Sequence, residues 1–197
     1  MNFELAEKLD TLITSNKLDE AITLAEKELW GLPQTPFHAI LGKDLLHLVD
    51  PMAKYLDAFY QWMKPTITTK ALYAEMNGFT INPDLWYVDV FAYDEYQGLD
   101  DLDWLADVEL ENSTANDPFL LTGFEDLQEA YDDYMEKEKY HDKRQRSGSE
   151  VCELIIILRL QQLMREAVKA GKAKGKTWVN VPLLVTAHDY DLIYKAT

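Results

Sequence analysis

Apolar and polar positions alternate most clearly from Leu85 to Tyr93, the period-two pattern of a β-strand. Trp86, Val88, Val90 and Ala92 fall on one face, which reads as core. Leu85, Tyr87, Asp89, Phe91 and Tyr93 fall on the other, setting a carboxylate in an aromatic row. A lone buried carboxylate is costly, so Asp89 needs a partner, a metal or water. A second run, Leu72 to Ile81, precedes it across Asn82, Pro83 and Asp84, which are turn formers. A three-residue loop predicts a hairpin with Asn77 opposite Asp89, Glu75 opposite Phe91 and Tyr73 opposite Tyr93. Leu72, Ala74 and Met76 then join the Trp86 face, and Glu75 and Asn77 join the aromatic face. Alternation resumes at Trp104, with Ala106, Val108 and Leu110 on one side and Leu105, Asp107, Glu109 and Glu111 on the other. That predicts a further strand with one wet face.

Helical spacing governs most of the remainder. Residues 3–14 and 18–29 each carry an apolar stripe, and Gly31 and Pro33 end the second. The run Leu18-Asp19-Glu20-Ala21 followed by Leu24-Ala25 resembles one tetratricopeptide unit over fewer than 30 residues. No second copy follows at that period, so the pair reads as an independent helical hairpin. Pro36–Leu48 predicts a helix, and Asp50-Pro51 starts another that runs to Pro65. Phe124, Leu127, Tyr131 and Tyr134 stripe a helix that starts near Gly123, with Thr122 and Glu125 placed as a capping box. Residues 143–149 read as a polar basic linker. A helix capped by Ser147 or Ser149 follows, apolar on nearly every face from Val151 to Leu158, and therefore buried on both sides. Ala170-Gly171 is read as its end. Val179–Val181 before Pro182 is a short or edge strand, and Leu183–Thr186 is another.

This order predicts an α+β fold, with N-terminal helices packed with one mostly antiparallel β-sheet and helices chiefly on one face. The 197 residues suit a single domain, 1–197, with a helical part at 1–64 and a sheet-containing part at 66–197. Hydrophobic residues make up 47%, enough for a core. No apolar run is long enough for a membrane span, and MNFELAEKLD does not read as a signal peptide. Cys152 stands alone, which excludes an intrachain disulfide and fits a reducing, cytoplasmic setting.

Charge changes the picture most. The net charge is −16, and it is unevenly spread. Between Lys70 and Lys137 there are 18 acidic residues and no lysine or arginine. From Lys137 to Lys176 there are 11 basic and 5 acidic residues. Phosphates would be repelled by the middle of the chain, which argues against nucleic acid as a partner there, and a basic protein, a cation or the chain's own basic segment would be attracted. The expected binding surface comprises Glu75, Asn77, Tyr87, Asp89, Tyr93, Asp94, Glu95, Asp100, Asp101, Asp103 and Trp104. In charge and size such a protein is similar to bacterial immunity proteins that block nuclease toxins, an analogy that goes no deeper than those two properties.

Motifs for chemistry are sparse. There is no GxSxG, HExxH, P-loop or dinucleotide fingerprint, and no cofactor is expected. A calcium loop built on Gly98 would place Tyr93 and Trp104 at the first and last ligand positions, so it fails. His38 and His47 lack paired metal spacing, and Cys152 has no histidine at a recognisable spacing, so no metal ligand or nucleophile is assigned to them. His188-Asp189-Tyr190-Asp191 is the one local His/Asp cluster. The leading expectation is a non-enzymatic module that docks a basic partner. The alternative is a metal-assisted hydrolase or small-ligand enzyme using Glu75, Asp89 and His188. A homodimer through the N-terminal hairpin is a third possibility.

Overall fold

A computed structural model of the protein describes residues 2–107 and 109–197. Helices α1 (Phe3–Thr14), α2 (Leu18–Gly31) and α3 (Val49–Met63) come first. Strands β1 (Ala71–Asn77), β2 (Tyr87–Tyr93) and β3 (Phe119–Leu120) follow, then α4 (Glu125–Glu136) and α5 (Lys143–Ala173). Strands β4 (Leu183–Ala187) and β5 (Tyr194–Lys195) close the chain. The sheet order is β3-β2-β1-β4-β5, with β1 and β4 parallel and the other neighbours antiparallel. The fold is α+β, as the element order predicts. No helix among the described residues is long and apolar enough to cross a membrane.

Helix α5 organises the core. Its residues Val151–Leu158 are all buried because the helix is wedged between the sheet and the N-terminal helices. Leu72, Ala74, Met76, Trp86, Val88, Val90 and Ala92 share one core with α1–α5, so the helices cover the Trp86 face. Trp86 is fully buried against Phe79, Phe124 and Tyr131. Fully buried Gln161 on α5 donates to the Leu192 carbonyl (2.8 Å), tying the helix to the chain that follows β4.

Several local expectations need correction. The hairpin register is shifted by two residues: Glu75, not Asn77, faces Asp89, and Asn77 faces Tyr87. A two-residue slip preserves the faces, which is why the split into core and mixed faces survives. The strands end early because the chain turns at Gly78 and at Phe79, which has φ 56°. A Cβ on Gly78 would lie 2.9 Å from the Trp86 ring, so this turn fits under the indole only as glycine.

The strand expected at 104–111 is instead two 3-10 turns, Asp103–Ala106 and Leu110–Asn112, and Val108 lies outside the described residues. Trp104 folds inward rather than extending. The space beside β2 is filled by Ser113, Thr114 and β3. Pro36–Ile40 and Leu46–Leu48 are 3-10 turns, not one helix, and Trp178–Asn180 is a 3-10 turn, not a strand. The helix expected to open with Asp50 as cap and Pro51 as its first residue begins two residues earlier, at Val49. Residues 143–149 are the first turns of α5, not a linker, because the Asp142 carboxylate caps the Arg144 and Gln145 amides. The helix also continues past Gly171. It stops where Gly175 adopts φ 64° and the Lys176 amide donates to the Gly171 carbonyl (3.0 Å).

Candidate functional site

The mixed face of β1 and β2 carries Tyr73, Glu75 and Asn77 beside Tyr87, Asp89, Phe91 and Tyr93. Among the described residues, its apolar neighbours in the smaller of the two cores come from strands and loops and not from an α-helix. Its Tyr93 end is covered by the chain's own acidic loop: Tyr93 packs on Trp104 (5.1 Å between rings) and donates to the Leu105 carbonyl (2.7 Å). Trp104 meets Tyr96 edge-on as well and donates to the Gly98 carbonyl. Tyr93 and Trp104 are therefore buried in a second, smaller core with Tyr73, Leu184 and Ile193. Desolvation pushes the Tyr93 hydroxyl well above its ordinary range. Around this cover, Asp94, Glu95, Asp100, Asp101 and Asp103 are exposed. Asp101 accepts from the Asp103 amide (3.0 Å) and Glu95 from the Gln97 amide group (2.9 Å).

The other end holds the polar cluster. The parallel register of β1 and β4 pairs Glu75 with Thr186, and period two then places His188 on the Glu75 face. The His188 amide donates to the Met76 carbonyl (2.9 Å), and its Nδ1 lies 2.7 Å from Glu75 Oε1. Tyr73 donates to the other Glu75 oxygen (2.9 Å). The Glu75 bond raises the His188 pKa above its ordinary value against a smaller opposing effect of burial. Opposite Glu75, Asp89 is buried, and Asn77 donates to its Oδ2 (3.3 Å). Its Oδ1 has no hydrogen-bond partner among the described residues. Desolvation, and then the Glu75 charge, push the Asp89 pKa upward. Tyr87 is half-buried beside them. The structure thus joins Glu75 to His188 directly and sets Asp89 across from Glu75, while the loop carboxylates form a separate group.

Glu153 escaped the sequence reading, and Tyr190 was read only as a member of the His188 cluster. Glu153, on α5, and Tyr190, just beyond His188, border a cavity of about 210 Å³ together with His188, Phe79 and Met76. Tyr190 donates to Glu153 Oε2. Burial lifts the Glu153 carboxyl to about 7, although the Tyr190 bond opposes the shift. The sequence signal was a lone acid in an otherwise apolar helix stretch.

The cations of the basic segment go elsewhere. Arg159 pairs with Glu26 (2.6 Å), Arg165 with Asp19 (2.8 Å), Lys174 with Asp50 (2.7 Å) and Lys176 with Asp57 (2.8 Å), all on α2 or α3. Lys137 and Lys139 pair with Asp133, and Lys43 pairs with Asp126, on α4. Among the described residues no lysine or arginine pairs with a carboxylate between 84 and 117. Lys195 comes near that segment only through the Tyr96 ring, 5.2 Å from its centroid. Nor does any group of three or more His, Cys, Asp or Glu among the described residues have the arrangement to hold a metal ion.

Comparison with protein-family models, with curated proteins and with solved structures finds no match. Function has to be read from the site itself.

Proposed function

We propose that the protein is a docking module for a basic protein, with the carboxylates of 84–117 and the Glu75–Asp89 face as its surface. One observation carries this reading: six cations of the basic segment pair with carboxylates of α2, α3 and α4, and among the described residues no lysine or arginine pairs with a carboxylate of 84–117. Massed negative charge of this kind steers a positive partner into contact and sets the approach rate more than the final affinity. Nucleic acid is repelled by the same field.

The test is capture from cell lysate with the wild type and with Asp100→Asn/Asp101→Asn/Asp103→Asn as baits, each at low and high salt. A basic protein retained by the wild type at low salt, and lost with the variant, supports docking. Equal retention by both baits, or none by either, removes it.

A second reading, a metal-assisted hydrolase in which Glu75 orients His188 as a base and Asp89 assists, has the Glu75–His188 contact in its favour and the lack of a metal-holding group among the described residues against it. A thermal-shift series with divalent metals decides it, because a bound metal raises the melting temperature as its concentration passes its affinity. A flat series counts against this reading.

A further inference from the structure

An apolar groove adjoins the acidic segment. It lies between α3 and residues 113–117, encloses about 380 Å³, and is walled by Tyr55, Phe59 and Trp62 on one side and Thr114, Asn116 and Asp117 on the other. The far wall is fixed. The Thr114 side chain accepts from the Val90 amide (2.8 Å), its own amide donates to the Val90 carbonyl (3.0 Å), and Tyr55 donates to the Asp117 carbonyl (2.8 Å). Phe59 forms the buried base, and its ring lies 6.0 Å from that of Trp62. Trp62 is 60% exposed. An indole held beside a preformed recess and left to solvent is the composition of an interface anchor. Exposed Asp117 lines the groove itself and Glu109 and Glu111 lie just before its far wall in the chain, and no lysine or arginine pairs with these carboxylates among the described residues.

Resting on the docking reading, we propose that this groove receives one apolar side chain of the basic partner, flanked in the partner's sequence by lysine or arginine. The apolar side chain fills the recess against Trp62, and the flanking cations meet Asp117 and the acidic segment it belongs to. Charge complementarity selects this occupant: an acidic or neutral segment would leave these carboxylates unneutralised, whereas a purely basic one would leave the recess empty. Specificity then comes from the groove and attraction from the acids.

Two synthetic peptides test this: a lysine–glycine peptide, and the same peptide with its central glycine replaced by leucine. Calorimetry gives both affinities, and Trp62→Phe identifies the Trp62 share of any fluorescence change. Burying one leucine predicts about tenfold tighter binding of the leucine peptide. Trp62→Ala should remove that preference. Ala58→Phe, which fills the recess from an exposed position lining it, should do the same. Equal affinity of the two peptides for the wild type, or a leucine preference that survives both variants, overturns the groove proposal and leaves docking by charge intact. Failure of both peptides to bind overturns the docking reading and the groove with it.

Discussion

The carboxylates of α2 and α3 and those of residues 84–117 are equally negative and are used in opposite ways. Asp19, Glu26, Asp50 and Asp57 each meet a cation from α5 or the loop after it, so they clamp the N-terminal helices to the central helix. The carboxylates of 84–117 meet no lysine or arginine among the described residues, although the chain contains 19 such residues in all. Net charge alone could not separate the two groups. Position does: paired acids lie where α5 packs, whereas most of the unpaired ones lie on the chain that follows β2.

Substitutions can break or sharpen this contrast. The largest effect is expected at Glu153, a carboxyl of neither kind. Its folded pKa of about 7 lies above the ordinary 4.5, so the folded state holds a proton that the unfolded state releases. Stability is therefore highest below pH 4.5 as far as this group is concerned, and it falls as pH rises towards 7. Glu153→Gln keeps an acceptor for Tyr190 and removes that loss. Urea unfolding should show a gain of about 3 kcal/mol at pH 8 and almost none at pH 4.5. A destabilised variant at pH 8 would mean that Glu153 is charged and paired.

Next comes the paired group. Arg159→Ala strands Glu26 in a partly buried contact and should cost about 2 kcal/mol in the same assay. A cost below about 0.5 kcal/mol would place this pair with ordinary surface pairs. His188 follows. Glu75 raises its pKa, so their contact stabilises the fold below pH 6.5 and is lost as pH rises through the folded value. Half-exposed and screened, it predicts a loss below about 1 kcal/mol for His188→Gln at pH 6, and none at pH 9. The smallest effect belongs to the unpaired group. Asp100→Asn/Asp101→Asn/Asp103→Asn should shift stability by less than about 0.5 kcal/mol. A marked loss of stability would show that these carboxylates have structural partners.

What the sequence made legible followed from strong periodicity. The two faces of the Trp86 strand, the stripe of α4 and the burial of α5 were all visible, because burial enforces pattern. Register was not, because a slip of two residues leaves every side chain on its face and the turn at Gly78 carries no pattern. The 104–111 segment misled because alternation there reflects one inward Trp104 and a row of exposed acids, not pairing. The start of α5 was hidden by polarity: residues 143–149 are held by the Asp142 cap. Of the candidate site, Glu75, Asp89 and His188 were legible singly, and only the parallel β1–β4 register showed that Glu75 meets His188. Tyr93 and Trp104, read as part of a binding face, turned out to be its lid, while Trp62 stands exposed beside the groove.

The most direct measurement is a map of backbone amide and indole N–H shifts by NMR as the leucine-bearing lysine–glycine peptide is added at low salt. Shifts concentrated in 84–117 and at the Trp62 indole, and reversed by added salt, are the predicted result. Shifts centred on Asp19, Glu26, Asp50 and Asp57, or none anywhere, would contradict the account.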